Sequence, residues 1–386
     1  MPSTPPPGEP APADGSLPPG TTATAPFAVY VHVPYCAHRC GYCDFNTYVD
    51  TDGSAAGYVD AALSEARLAA RVLGEDRPPV DTVFVGGGTP TLLPAADLAR
   101  LLRGIDEILG LAPGAEVTTE ANPETVDRAY LETIRAAGYN RISVGMQSTA
   151  PHVLATLERR HTPGRAAAVV ADAKAAGFER TSVDLIYGTP GETPDDWRRS
   201  VEAALAADPG HVSAYALVVE QGTPLAARVA RGELAEPDDD AAADRYELAD
   251  DLLGAAGYEW YEVSNWARPG HECRHNRHYW RSHDWWGIGP GAHSHVGGVR
   301  WWNVRLPRDH AAAVRAGRSP AQAREVLDAE TREVERLMLG IRLREGLPAA
   351  DAPGVDAELA PVAGGRVTLT RRGRLLADAV VRSLVG

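Results

Sequence analysis

Two stretches of the chain read almost alike: AAGYNRISVGMQ over residues 136–147 and AAGFERTSVDLI over 175–186. Each opens on small helix-forming residues, halts at a glycine suited to a helix C-terminus, and runs into an apolar, β-branched segment. The same rhythm extends in both directions. Strands are expected at Phe27–Val33, 82–85, 116–120, Arg141–Gln147, 181–187 and 212–218. Between them the pattern predicts helices over 57–73, 94–110, 124–137, 163–177 and 194–207. Pro94 and Pro163 mark starts, and Gly138 and Gly177 mark stops. Six βα units with buried strands predict an α/β fold, either a doubly wound sheet or a full or partial barrel.

The residues of unusual chemistry fall in one place within this rhythm. Three cysteines, Gly86-Gly87-Gly88-Thr89, Glu120, Gln147 and Asp184 all lie at or just beyond the C-terminal end of a strand. Barrels and open α/β sheets carry their chemistry on that face.

At 386 residues the chain has room for a large domain and a smaller one. Residues 1–25 hold eight prolines and no aromatic residue, and are expected to form a disordered tail. The barrel should occupy 26–257. Seven of the eight tryptophans and six of the twelve histidines fall between Trp260 and Trp302, so 258–308 reads as a separate segment closing the barrel. Residues 309–386 read as a small helical domain, with a short strand at 366–369 and a last helix from about Arg371. The net charge of −14 argues against a broad nucleic-acid or anionic-membrane surface. No apolar stretch approaches membrane-spanning length. No Lys or Arg precedes Arg39 and no apolar core follows Met1, so a cytoplasmic location is expected.

Cys36-Ala-His-Arg-Cys40-Gly-Tyr-Cys43 is a C-x3-C-x2-C spacing in the loop after the first barrel strand. Three thiolates so placed can hold three corners of a cubane cluster, which four cysteines normally complete, leaving one iron open. Two other readings compete. A zinc site would need His38 or Cys273 as fourth ligand. A Cys40–Cys43 redox dithiol would give Cys36 no role.

The cysteine spacing, with Tyr42 just before the last cysteine, resembles the radical S-adenosylmethionine (SAM) superfamily. The resemblance implies a partial (β/α)6 TIM-like barrel with a C-terminal, mainly helical, winged-helix-like domain. It also implies a [4Fe-4S] cluster on Cys36, Cys40 and Cys43, with SAM on the open iron. Five further stretches, YVHVPYC (30–36), FVGGGTPT (84–91), TEANP (119–123), VDLIYG (183–188) and YEWYEVSN (258–265), resemble the oxygen-independent coproporphyrinogen III oxidase group. The SAM contacts this implies are Tyr30, Tyr42, Gly87, Gly88, Thr89, Glu120, Gln147, Arg159, Asp184 and Ala216. An electron donor is implied if SAM is cleaved.

Two branches of the group differ at two markers. The oxidases carry a further cysteine two residues after the third, where this chain has Phe45. The haem chaperones of the HemW type lack it and carry H-N-x-x-Y-W, which stands here as His275-Asn276-Arg277-His278-Tyr279-Trp280. Both markers resemble the chaperone branch. That resemblance implies haem as a ligand, held at His275, with His278 and Cys273 as further candidates for the iron. Client haem proteins, of the respiratory chain among them, and a homodimer are implied partners. Trp280, Trp285 and Trp286 could cover a porphyrin face; read as residues alone, such a cluster is better explained by core packing.

Overall fold

The computed structural model describes residues 8–50, 53–160 and 162–385. Its strands are β1 (Glu9–Pro10), β2 (Phe27–Val33), β3 (Val80–Gly87), β4 (Leu111–Ala121), β5 (Arg141–Gln147), β6 (Arg180–Tyr187), β7 (His211–Ala216), β8 (Glu259–Glu262), β9 (Asn265–Ala267), β10 (Asp284–Ile288), β11 (His293–Val296), β12 (Val299–Asn303) and β13 (Ala321–Val326). Helices α1 (Tyr58–Leu73), α2 (Ala95–Leu109), α3 (Arg128–Ala137), α4 (Pro151–Thr156), α5 (Arg165–Ala175) and α6 (Pro194–Ala206) connect the parallel strands. After them come α7 (Pro224–Ala230), α8 (Asp239–Ala255), α9 (Arg274–Trp280) and α10 (Pro307–Arg315).

Strands β2 to β7 lie side by side in sequence order and all run parallel. Parallel neighbours need a crossover, and the amphipathic helices supply it. Their apolar faces bury Leu98, Leu101 and Ile105 of α2 and Leu131 and Ile134 of α3 against Val83, Val117, Ile142 and Val144 of the sheet. Side chains from all six parallel strands line one cavity of about 840 Å³, so the sheet curves around it. The curve does not close: the two edges of the thirteen-stranded sheet are β1 and β8. This is the expected partial (β/α)6 barrel.

The Trp/His-rich segment does not form a separate layer. It extends the sheet at both ends. Strands β9 and β8 add antiparallel to β7, and β10 adds parallel to β2, followed by β11, β12 and β13. Trp286, expected as a porphyrin cover, is instead core: it packs edge-on against Trp301 at 4.8 Å between centroids. Strand β13 continues the large sheet through β12, so the sheet reaches past residue 309 to Val326.

The C-terminal unit therefore starts later than expected. It comprises α11 (Ala329–Gly340), β14 (Leu347–Pro348), β15 (Val362–Ala363), β16 (Arg366–Val367), α12 (Arg371–Leu375) and α13 (Ala377–Val385). A three-stranded sheet in the order β14-β16-β15 forms its wing. Its own small core gathers Leu337, Ile341, Leu347, Val367 and Val380. Arg374 joins it to the barrel, meeting both oxygens of Asp250 on α8 at 2.9 and 2.7 Å.

The expectation of a disordered tail to residue 25 is corrected for residues 8–25; residues 1–7 lie outside the described residues. Strand β1 pairs with β13, and Arg324 meets Glu9 at 2.6 Å. The Thr24 amide and hydroxyl both donate to Asp284, and Leu17 and Ala23 pack on the core. Proline lacks an amide donor, which suits it to a sheet edge, where that donor would have no partner.

Candidate functional site at the mouth of the barrel

The loop after β2 carries the three cysteines, and the chain ties it down at both ends. The Cys36 amide donates to the Tyr48 carbonyl at 2.9 Å. Gly41 bonds to the Leu157 carbonyl and, through its own carbonyl, to the Leu225 amide. Tyr42 packs beside Leu157, Leu217 and Leu225. All three thiols are free and half-buried. Burial pushes the Cys36 thiol up and the Cys43 thiol up to about 11. Thr89 Oγ1 lies 3.8 Å from Cys36 Sγ, and Arg159 Nη1 lies 3.7 Å from Cys40 Sγ.

Beyond the thiols, the glycines of β3 bring bare backbone to the cavity wall. Gly88 and Thr89 donate to the Val33 and Tyr35 carbonyls, each at 2.8 Å. Gly87 sits at φ +110°, and a Cβ there would meet the His32 ring at 2.6 Å. Its amide donates to Glu120 Oε2 at 2.9 Å. Burial, then the charge of Asp184, pushes the Glu120 carboxyl up to about 8. Asp184 accepts from Ser143 and from Ser213 at 2.8 Å, and burial raises it too. Gln147 adopts φ +64° where β5 slips register against β6. A left-handed non-glycine residue at an irregularity is costly and re-aims its side chain, a device found at functional sites.

Every residue expected to touch the cluster or SAM lines this one cavity: Cys36, Cys40, Cys43, Tyr30, Tyr42, Gly87, Gly88, Thr89, Glu120, Gln147, Arg159, Asp184 and Ala216. His275 lines it as well, but at the far end. Helix α9 lies at the N-terminal end of the strands, where His275 Nδ1 meets Thr82 Oγ1 at 2.8 Å and Nε2 meets Tyr279 Oη at 2.9 Å. Thr82 is five residues before Gly87 on one strand, roughly 16 Å at about 3.3 Å per residue. Cys273 is at that same end, donating to Glu116 Oε1 at 3.6 Å, with burial pushing its thiol up to about 12. It therefore cannot complete a zinc site with the loop cysteines. His278 faces Asp81 and His283, both at 2.8 Å.

Two residues outside the expected set hold the site together. His32 Nδ1 meets Tyr30 Oη, and His32 Nε2 meets the Asn46 carbonyl, both at 2.9 Å. Asn46 in turn donates to the Pro290 and Arg305 carbonyls. His32 was legible: two residues from Tyr30 on a strand, it shares that residue's face. Asn46 carries no such periodic signal, because it lies in a loop.

A model of the radical SAM superfamily matches residues 30–204. Heme chaperone HemW of Mycobacterium tuberculosis is 54% identical over 373 residues, covering 94% of this chain and 95% of that protein. The chain belongs to the HemW family. Heme chaperone HemW of Synechocystis is a more distant member, 37% identical over 346 residues, covering 87% of this chain and 82% of its own length. Among solved structures, coproporphyrinogen III oxidase (HemN) of Escherichia coli matches with a TM-score of 0.80 at 23% identity, covering 93% of this chain and 90% of that one. That likeness is one of fold. Radical SAM proteins such as the HemW family use a [4Fe-4S] cluster and SAM, and the cavity wall suits both. Arg159 Nε is buried with no hydrogen-bond partner, as a carboxylate-binding group would be before its ligand arrives. Burial and the neighbouring Asp184 push the Glu120 carboxyl up, so a cationic group placed beside it would favour the carboxylate.

The Gly87 backbone gives the first test. Gly87→Ala puts a methyl group at a left-handed position and into the His32 ring. Overpacking of this kind costs about 1–3 kcal/mol. We expect a lower melting temperature and a SAM affinity weaker by at least roughly tenfold. Calorimetric titration giving wild-type affinity would mean that Gly87 takes no part in SAM binding.

Proposed function

We propose that this protein is a haem chaperone that holds a [4Fe-4S] cluster and SAM at the mouth of its barrel and passes haem to client proteins in the cytoplasm. The observation that carries the reading is the 54% identity, over nearly the whole of both chains, to a protein named heme chaperone HemW. Phe45 supports it: where the oxidases carry a further cysteine, the loop presents an exposed phenyl ring.

When bound, the cluster supplies an electron and an open iron for SAM. The residues of this chain do the rest. Cys36, Cys40 and Cys43 would each hold one iron. Gly87 and Gly88 admit a ligand to the backbone. Glu120 and Arg159 offer a carboxyl for an ammonium group and a guanidinium for a carboxylate. Respiratory haem proteins fit as clients, and an electron donor is required only if SAM is cleaved. A homodimer is a further proposal. Among the described residues no helix is long and apolar enough to cross a membrane.

The test uses one anaerobic, cluster-reconstituted preparation. Haem is titrated while the Soret band is followed, and decarboxylation of coproporphyrinogen III is assayed alongside. Stoichiometric haem uptake, transfer to an apo-haem protein and no decarboxylation are expected. Robust decarboxylation without haem uptake would return the chain to the oxidase reading.

A further inference from the structure

Haem needs three things of a protein: a flat apolar surface for the ring, a ligand for the iron, and cations for two propionates. A chaperone's site adds a fourth, an open side through which the ring can leave. His275 supplies the ligand atom but not the opening. It is 1% exposed, both ring nitrogens are engaged, and its ring stacks on Phe84 at 5.2 Å. His275 lines the same cavity as the three cysteines, so a ring ligated there would share that cavity with the cluster and SAM.

The cavity mouth meets all four needs. His38 sits on the rim, exposed, between Cys36 and Cys40. Among the described residues it has no hydrogen bond or ion pair. Phe45 and Val218 line the same rim from two different segments, 54% and 61% exposed. Large apolar side chains this open, gathered at a cavity mouth, mark a binding surface. Arg160 lines the rim as well, and Arg39 is exposed beside His38, reaching the Cys43 carbonyl at 3.4 Å. In a chain of net charge −14, local guanidinium groups are what a dianionic ligand would seek. Of the rim acids, Glu124 already accepts from the Thr162 amide and Asp44 has a partner, which leaves Glu220.

We infer that haem docks at the mouth of the barrel, with His38 as its axial imidazole and its ring laid over Phe45 and Val218. The propionates meet Arg39 and Arg160. His275 then serves as a positioning residue, bridging β3 and α9 at the barrel floor. This inference rests on the haem-chaperone reading and names the site that reading needs.

The test titrates haemin into the full-length, cluster-loaded chain, with Soret and low-spin electron paramagnetic resonance signals as readouts. Wild type, His38→Ala, Val218→Asp and His275→Phe are compared. His38→Ala should weaken binding by roughly tenfold or more and lose the imidazole-ligand signature, which added imidazole restores. Val218→Asp, on an exposed position away from the cysteine loop, should weaken binding with the cluster intact. His275→Phe should keep the wild-type spectrum. If His38→Ala or Val218→Asp binds as wild type does, or if His275→Phe alone loses the signature, the mouth site is wrong while the chaperone reading stands. If wild type takes up no haem, the chaperone reading itself falls.

Discussion

Glu65→Ala should destabilise the protein by about 3–5 kcal/mol, the cost of breaking a buried, fully bonded charged or polar set. Glu65 sits on the inner face of α1 and is essentially unexposed. Its Oε2 accepts from the Gly289 amide at 2.7 Å and meets His310 Nε2 at 2.6 Å; its Oε1 accepts from Asn303 Nδ2 at 2.6 Å. One carboxyl group thus joins α1, α10, β12 and the turn after β10. Alanine leaves two buried polar groups, the Gly289 amide and His310 Nε2, without a partner, at about 1–3 kcal/mol each before the site relaxes; Asn303 Nδ2 loses one of its two bonds and keeps the Gly289 carbonyl at 2.9 Å. In a chain of this length the melting temperature should fall by roughly 5 °C.

The damage should reach the cysteine loop. The turn that Glu65 holds contains Gly289, whose Cβ would meet the His32 carbonyl at 2.5 Å, and Pro290, whose carbonyl accepts from Asn46. Asn46 follows Cys43 by three residues and holds His32. Glu65→Ala should therefore also lose reconstituted cluster faster than wild type, seen as decay of its visible absorbance. A melting temperature within about 1 °C of wild type would mean that water replaces the carboxyl, and the coupling argument would go with it.

The strands legible in the sequence are those whose fate is local. Phe27–Val33 and Arg141–Gln147 are apolar runs with clear punctuation, and both stand where expected. Strand β4 runs longer than expected, from Leu111, because its first residues pair with β3 across a register slip that Pro113 and Gly114 disguise as a turn. Strand β13 was invisible for a different reason. Its residues AQAREV favour helix, and pairing with β12 overrides that preference. The helices over 224–230 and 239–255 lie outside the expected set; the long one buries little beyond Tyr246, Ala249 and Leu253, so its apolar stripe is faint.

The site divides along the same line. Glycines, cysteines and carboxyls at strand ends could be placed because the C-terminal face of parallel strands gathers them. The position of His275 could not. Its stretch follows the last barrel strand, and nothing local says that α9 returns to the opposite end of the barrel. Only long-range contacts, Thr82 to His275 and Glu116 to Cys273, fix that return.

Glu120 should make the ligand-free protein lose stability as pH rises, and should make SAM binding release a proton. Its carboxyl stands at about 8 in the folded chain against an ordinary value of 4.5. Below about pH 4.5 folded and unfolded chains both hold the proton, and the group costs nothing. Between pH 4.5 and 8 the unfolded chain ionises freely while the fold keeps the proton, so stability falls steadily. Above about 8 the full penalty is reached, on the order of 5 kcal/mol before relaxation. Glu120→Gln removes it: the variant should match wild type near pH 5 and melt higher above pH 7.5. An ammonium group beside Glu120 reverses the balance and favours the carboxylate. SAM should then bind more tightly as pH rises from 6 to 8, with up to one proton released, measured by calorimetry in buffers of different ionisation enthalpy. Proton release absent from wild type, or unchanged in Glu120→Gln, would place the ammonium elsewhere, and Asp184, raised in the same direction by the same burial, would be the next carboxyl to substitute.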